Sequence, residues 1–189
     1  MQADFLVYQA KAFYNAYIAL EQVGNSCDDE VLFSVPQKVN GAFSVELTLK
    51  AILVKNNIKY GKEHNLYILF DLLPESFKDE LLSNFFRKAP EYCDAEKFFD
   101  ELILVSNAFV DWRYFFEGYP APAFDSRFLS ALANAAICTM FAHYNVSFVR
   151  SDACEKTDKE IEQMFRGNRK ECKNRNIRLI QKKIEDSPS

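Results

Sequence analysis

Glycine and proline are scarce, at five and six of 189 residues. Sandwiches and barrels turn often and need more of both, so an all-β fold is disfavoured. The five glycines never form Gly-x-Gly-x-x-Gly, Gly-x-x-x-x-Gly-Lys or Gly-x-Ser-x-Gly. That sets aside dinucleotide folds, P-loop enzymes and the common hydrolase elbow. Histidine occurs only at 64 and 143, and there is no Cys-x-x-Cys. A structural zinc site is therefore not expected, and no metal or other cofactor is expected. The five cysteines, at 27, 93, 138, 154 and 172, are odd in number and lack metal or redox spacing. Reduced thiols in a cytoplasm are the simplest reading. The start, Met1-Gln2-Ala3-Asp4-Phe5, lacks the cationic stretch and cleavage site of a secretory signal. One run is long and uncharged, the 22 residues from Phe128 to Val149. Ser130, Asn134, Thr139, His143, Asn145 and Ser147 interrupt it. Each would need a partner in lipid, so a buried core helix is expected and no membrane contact. Within that helix, His143 is expected to be a hydrogen-bonded core residue and Cys138 a small core residue.

Hydrophobic residues make up 49% of the chain, with 18 Phe and 9 Tyr. That is enough for one aromatic core. Helical periodicity runs through most of the length. A first helix is expected from Asp4 to Val23, with Phe5, Tyr8, Ala12, Ala16, Ala19 and Val23 opposite a wet face of Asp4, Lys11, Asn15 and Gln22. An acidic loop follows, closed by Pro36. A second helix spans Val39 to Asn57, with Glu46 partly buried and Lys50 one turn on. A short helix, Leu66 to Leu73, opens at His64-Asn65 and stops at Pro74. Glu75 to Lys88 is amphipathic. Asp94 caps a long helix from Ala95 to Glu117, and Asp125 or Ser126 caps the uncharged one. The fold class is all-α: an antiparallel helical bundle over residues 1–150 with a polar, basic helical arm over 151–189.

Charge divides along the same line. Residues 1–149 hold 12 basic and 19 acidic residues, a net of −7, whereas the last 40 hold 11 and 8, a net of +3. Arg166, Arg169, Lys170, Lys173, Arg175, Arg178, Lys182 and Lys183 face a single acid, Glu171, within one stretch. They are candidates for phosphate contact with nucleic acid. The bland reading of the same stretch is a solvated helix or an arm that docks on a protein. Aromatics are scarce there, so stacking on single-stranded bases is not indicated.

Three segments, in order, resemble a known family. They are Phe43-Ser-Val-Glu46-Leu-Thr-Leu-Lys50-Ala-Ile-Leu, then Glu63-His64-Asn65-Leu66-Tyr-Ile-Leu-Phe70-Asp71-Leu72-Leu73, then Asn107-Ala-Phe-Val-Asp111-Trp112-Arg113-Tyr114-Phe-Phe-Glu117. The pattern resembles bacterial proteins of the HEPN superfamily (higher eukaryotes and prokaryotes nucleotide-binding). The resemblance implies a bundle of four or five helices, a homodimer, and a setting in toxin–antitoxin or phage-defence systems. It covers metal-independent RNases and inactive members that bind nucleotides or partner nucleotidyltransferases. The RNase members carry Arg, four to six residues, then His. Here no arginine precedes His64, and the nearest before His143 is Arg127, sixteen residues away. The usual RNase motif is absent.

The candidate site is Glu46, Lys50, His64, Asp111, Arg113 and Glu117. In a functional reading Lys50 and Arg113 hold a phosphate and His64 is a general acid or base. In a structural reading Glu46 pairs with Lys50 and Arg113 with Glu117 along their own helices, and His64 tethers the start of its helix. The leading expectation is a non-catalytic HEPN-like module that binds RNA, a nucleotide or a protein partner. The alternatives are a metal-independent RNase with a non-standard site around His64 and Arg113, and a structural adaptor docking through its C-terminal arm.

Overall fold

The computed structural model describes residues 2–25, 30–113 and 124–144. These residues form an all-α bundle, and no strand occurs among them. The helices are α1 (Gln2–Asn25), α2 (Glu30–Lys55), α3 (Leu66–Asp71), α4 (Glu75–Lys88), α5 (Ala95–Val105), α6 (Ala108–Arg113) and α7 (Ser126–His143). A 3-10 turn, Pro90–Tyr92, joins α4 to α5. No described helix is long and apolar enough to cross a membrane. The basic arm and the Gly118–Pro122 loop lie outside the described residues.

The bundle is built around α2. Residues 44–53 are buried without interruption, the mark of a helix covered on every side. α1 runs antiparallel along it. Ser44 Oγ donates to the Ala10 carbonyl at 3.0 Å, the rings of Phe43 and Phe13 meet edge to face at 4.5 Å, and Gly41 lies against Tyr17. A Cβ at Gly41 would stand 2.9 Å from Tyr17 Cδ2 and 3.4 Å from Leu129 Cδ2. Gly41→Ala is therefore expected to destabilise the fold by about 1–3 kcal/mol in a denaturant titration. Alanine is the better helix former by about 1 kcal/mol, so a more stable variant would contradict this packing.

α7 packs across α2 and α4 and buries ten of its residues, from Phe128 to Met140. Between these layers lies a cluster of rings. Phe98 sits 5.0–5.9 Å, centroid to centroid, from Phe70, Phe85, Phe86, Phe99 and Phe128.

Several expectations need correction. On α1, Val7, Ala10 and Tyr17 are buried, whereas Phe5 and Tyr8 are 63% and 65% exposed. This helix is apolar on more than one side, so its sequence does not choose which side faces inward. Pro36 lies inside α2 instead of ending a loop. It forgoes the amide bond to the carbonyl of residue 32, and its own carbonyl accepts from Asn40 Nδ2 at 2.6 Å. The helix expected from Ala95 breaks at Ser106-Asn107 into α5 and α6. Cys138 is exposed. The His143 side chain is 39% exposed, with Nε2 2.5 Å from Glu80 Oε2 and its ring on Phe77.

Both aspartate caps form. Asp94 accepts from Glu96 N at 3.0 Å, and Asp125 accepts from Arg127 N at 2.9 Å. Asp125 also takes the Arg127 guanidinium at 2.8 Å and the Tyr92 hydroxyl at 2.6 Å. These donors, Arg127 foremost, hold its carboxyl well below the usual carboxylate range. A depressed carboxyl pKa stabilises the fold above the unfolded value and stops doing so as pH falls through the folded one. Asp125→Ala is expected to cost about 1–2 kcal/mol at neutral pH through the lost cap. In a pH series of melts, its deficit against wild type should shrink once pH drops below about 4.

Candidate functional site

Glu46, Lys50 and His64 come together where α2 meets the loop before α3. Glu46 is 1% exposed, on the fully covered part of α2. Its Oε1 lies 2.7 Å from Lys50 Nζ and 2.9 Å from His64 Nδ1. A single carboxylate oxygen thus receives both groups. Oε2 is buried with no hydrogen-bond partner among the described residues. The Lys50 side chain is 9% exposed, and its ammonium stands 5.2 Å from the centre of the Tyr60 ring. The His64 imidazole, in contrast, is 52% exposed.

The loop that presents His64 is fixed by its own acid. Glu63 Oε1 accepts from the amides of His64 at 2.8 Å and Asn65 at 2.7 Å. Those two bonds lower the Glu63 pKa. Gly61, at φ +62°, supplies the left-handed residue this turn requires. Asn65 then caps α3, accepting from Ile68 N at 3.1 Å.

The N-terminus of α3 docks on the break between α5 and α6. Leu66 N donates to the Ser106 carbonyl at 2.9 Å and Tyr67 N to Ser106 Oγ at 3.1 Å. Ser106 Oγ donates onward to the Leu102 carbonyl at 2.6 Å. Asn65 Nδ2 reaches Asn107 Oδ1 at 3.2 Å. These contacts explain the break, because Ser106 and Asn107 make bonds to α3 as well as to their own helix. With the Asn65 cap they also satisfy the first three amides of α3. A helix start whose amides are satisfied by protein has no donors left to cradle a phosphate.

Asp111, on α6, makes no hydrogen bond or ion pair with Glu46, Lys50 or His64 among the described residues. Burial raises its pKa. Arg113 ends α6, and its side chain lies outside what is described, as do Glu117 and the eight basic residues of the arm. No three His, Cys, Asp or Glu side chains gather as a metal-ligand group among the described residues.

A polar cleft of about 530 Å³ escaped the sequence reading. It lies against α1 and α7 and is lined by Tyr14, Tyr17, Glu21, Lys88, Arg127 and Asn134, among others. Asn134 Nδ2 donates to the Tyr14 hydroxyl at 2.9 Å. Burial pushes the Tyr17 phenol up to about 12. Its residues come from separate helices at no characteristic spacing, so no motif marks it.

No family model matches this chain, and no curated protein or solved structure matches it.

Proposed function

We propose that the chain is a non-catalytic, HEPN-like binding module, a cytoplasmic homodimer that engages RNA, a nucleotide or a protein partner in a bacterial defence or toxin–antitoxin setting. The single observation behind the non-catalytic reading is the buried Glu46 carboxylate with Lys50 and His64 on one oxygen. The ammonium that a phosphate would need is covered and already neutralised. In this reading the cluster ties the α3 entrance to α2, and ligand contact falls to groups outside it.

The second reading, a metal-independent RNase around His64 and Arg113, draws on one specific feature. His64 is half exposed and is held through Nδ1 by a carboxylate, the arrangement that orients a general base. RNA cleavage in EDTA separates the two. Wild type, His64→Ala and Arg113→Ala are incubated with total RNA and with tRNA. The module reading expects no cleavage by any of the three. Cleavage by wild type that both substitutions abolish would overturn it in favour of the RNase.

A further inference from the structure

Six of the eight large apolar side chains exposed among the described residues lie on two helices. They are Tyr67 and Ile68 on α3 with Leu72 at its C-terminal cap, and Phe99, Ile103 and Leu104 on α5, at 36–56% exposure. Scattered singly they would need no explanation, but α3 and α5 are neighbours joined at the Tyr67 and Phe99 rings, and exposed apolar side chains grouped on adjacent helices mark interaction surfaces. A cleft of about 270 Å³ opens beside them. Tyr67, Phe70 and Phe99 supply its rings. Phe99 meets Tyr67 at 80° and Phe70 at 71°, with centroids 6.2 and 6.0 Å apart. Rings set nearly at right angles in this way pack edge to face and give the cleft a firm aromatic wall.

The charge of the lining points the same way. Asp71, Glu75 and Asp79 line the cleft with one ammonium, Lys78. Lys78 Nζ lies 2.9 Å from Glu75 and 3.7 Å from Asp71. Three carboxylates against one ammonium leave the cleft anionic, which repels phosphate and nucleic acid. A small free cation would use the acids but leave the rings and the apolar patch uncovered. A helix with a basic and an apolar side uses all three.

We infer that this cleft and its apolar border along α3 and α5 dock a basic amphipathic helix of a partner protein, whose Arg or Lys side chain meets the carboxylates of Asp71, Glu75 and Asp79 beside Tyr67 and Phe99. Recognition is helix-in-groove, and the acids give it orientation and salt dependence. The inference stands apart from the Glu46 cluster, so its failure would leave the cleavage experiment untouched.

The test uses a fluorescent synthetic helical peptide with leucines on one side and arginines beside them, and a counterpart with glutamates for the arginines. Anisotropy is read against the full chain. The arginine peptide is expected to bind, more tightly at low salt, and the glutamate peptide not to bind. Phe99→Ser removes a ring of the cleft. Asp79→Arg reverses an exposed charge and keeps the melting temperature of wild type. Each is expected to weaken binding about tenfold. Equal binding of both peptides, or unchanged affinity in Asp79→Arg, would overturn the inference. So would a dimer in sedimentation that Phe99→Ser dissociates while wild type ignores the arginine peptide, because the face would then serve a second copy of the chain.

Discussion

Glu46→Ala is expected to lower stability by about 3–5 kcal/mol, with the melting temperature falling roughly 10 °C. The Lys50 ammonium is neutralised by one carboxylate oxygen at 2.7 Å, and its side chain is 9% exposed. Removing the acid leaves a covered positive charge with no counter-charge. It also frees the imidazole of His64 and, with it, the loop that opens α3. Lys50→Met is expected to cost less, because His64 still satisfies the carboxylate oxygen. His64→Ala should cost least, since the ring is half exposed and exposed ion pairs contribute at most about 1 kcal/mol. That ranking, Glu46 above Lys50 above His64, is particular to a structural tether. A site kept for substrate would show melting temperatures that hardly move.

The second large effect falls on the ring cluster. Phe98→Ala is expected to cost about 3–5 kcal/mol in a denaturant titration. Phe98 is fully buried, and five other rings surround it. Their positions come from α3, α4, α5 and α7, so no single helix can shift to fill the gap. Phe98→Leu keeps most of the volume and should cost about 1–2 kcal/mol. Phe5→Ala is the control. Phe5 is 63% exposed, and its loss should stay within about 0.5 kcal/mol. Equal costs at Phe5 and Phe98 would contradict the inward face of α1 as well as the core.

What the sequence revealed depended on local chemistry. Proline on one side and Ala89-Pro90 on the other bound α4 at Glu75 and Lys88, as expected. The cap at Asp94 was legible, and the one at Asp125 to within its neighbour Ser126, because a cap is a contact within three residues. The pairing of Glu46 with Lys50 was legible for the same reason, being one helical turn long. Contacts between distant segments were not. Ser106 sits in the stripe of Phe99, Ile103 and Val110, which runs with helical period beside that of Val105, Phe109 and Trp112, and the arrival of α3 from about 40 residues earlier breaks it. Pro36 reads locally as a terminator, yet the packing of α1 along α2 holds the helix through it. The inward side of α1 is not set by its sequence, because Phe5 and Tyr8 carry as much apolar surface as the buried Val7 and Ala10. His64 was placed near the start of α3 by the sequence, but its attachment to Glu46 across 18 residues is a product of the fold.

In the proposed reading Glu46 and Lys50 form a structural pair whose charges serve the bundle. A double-mutant cycle tests it most directly, with thermal melts of wild type, Glu46→Leu, Lys50→Met and the double variant. A buried pair replaced whole by apolar residues of similar size is often neutral in stability, whereas breaking it from one side is costly. The account predicts that each single variant melts below wild type and that the double variant recovers most of the loss. Single variants that melt like wild type, or losses that simply add in the double variant, would contradict it.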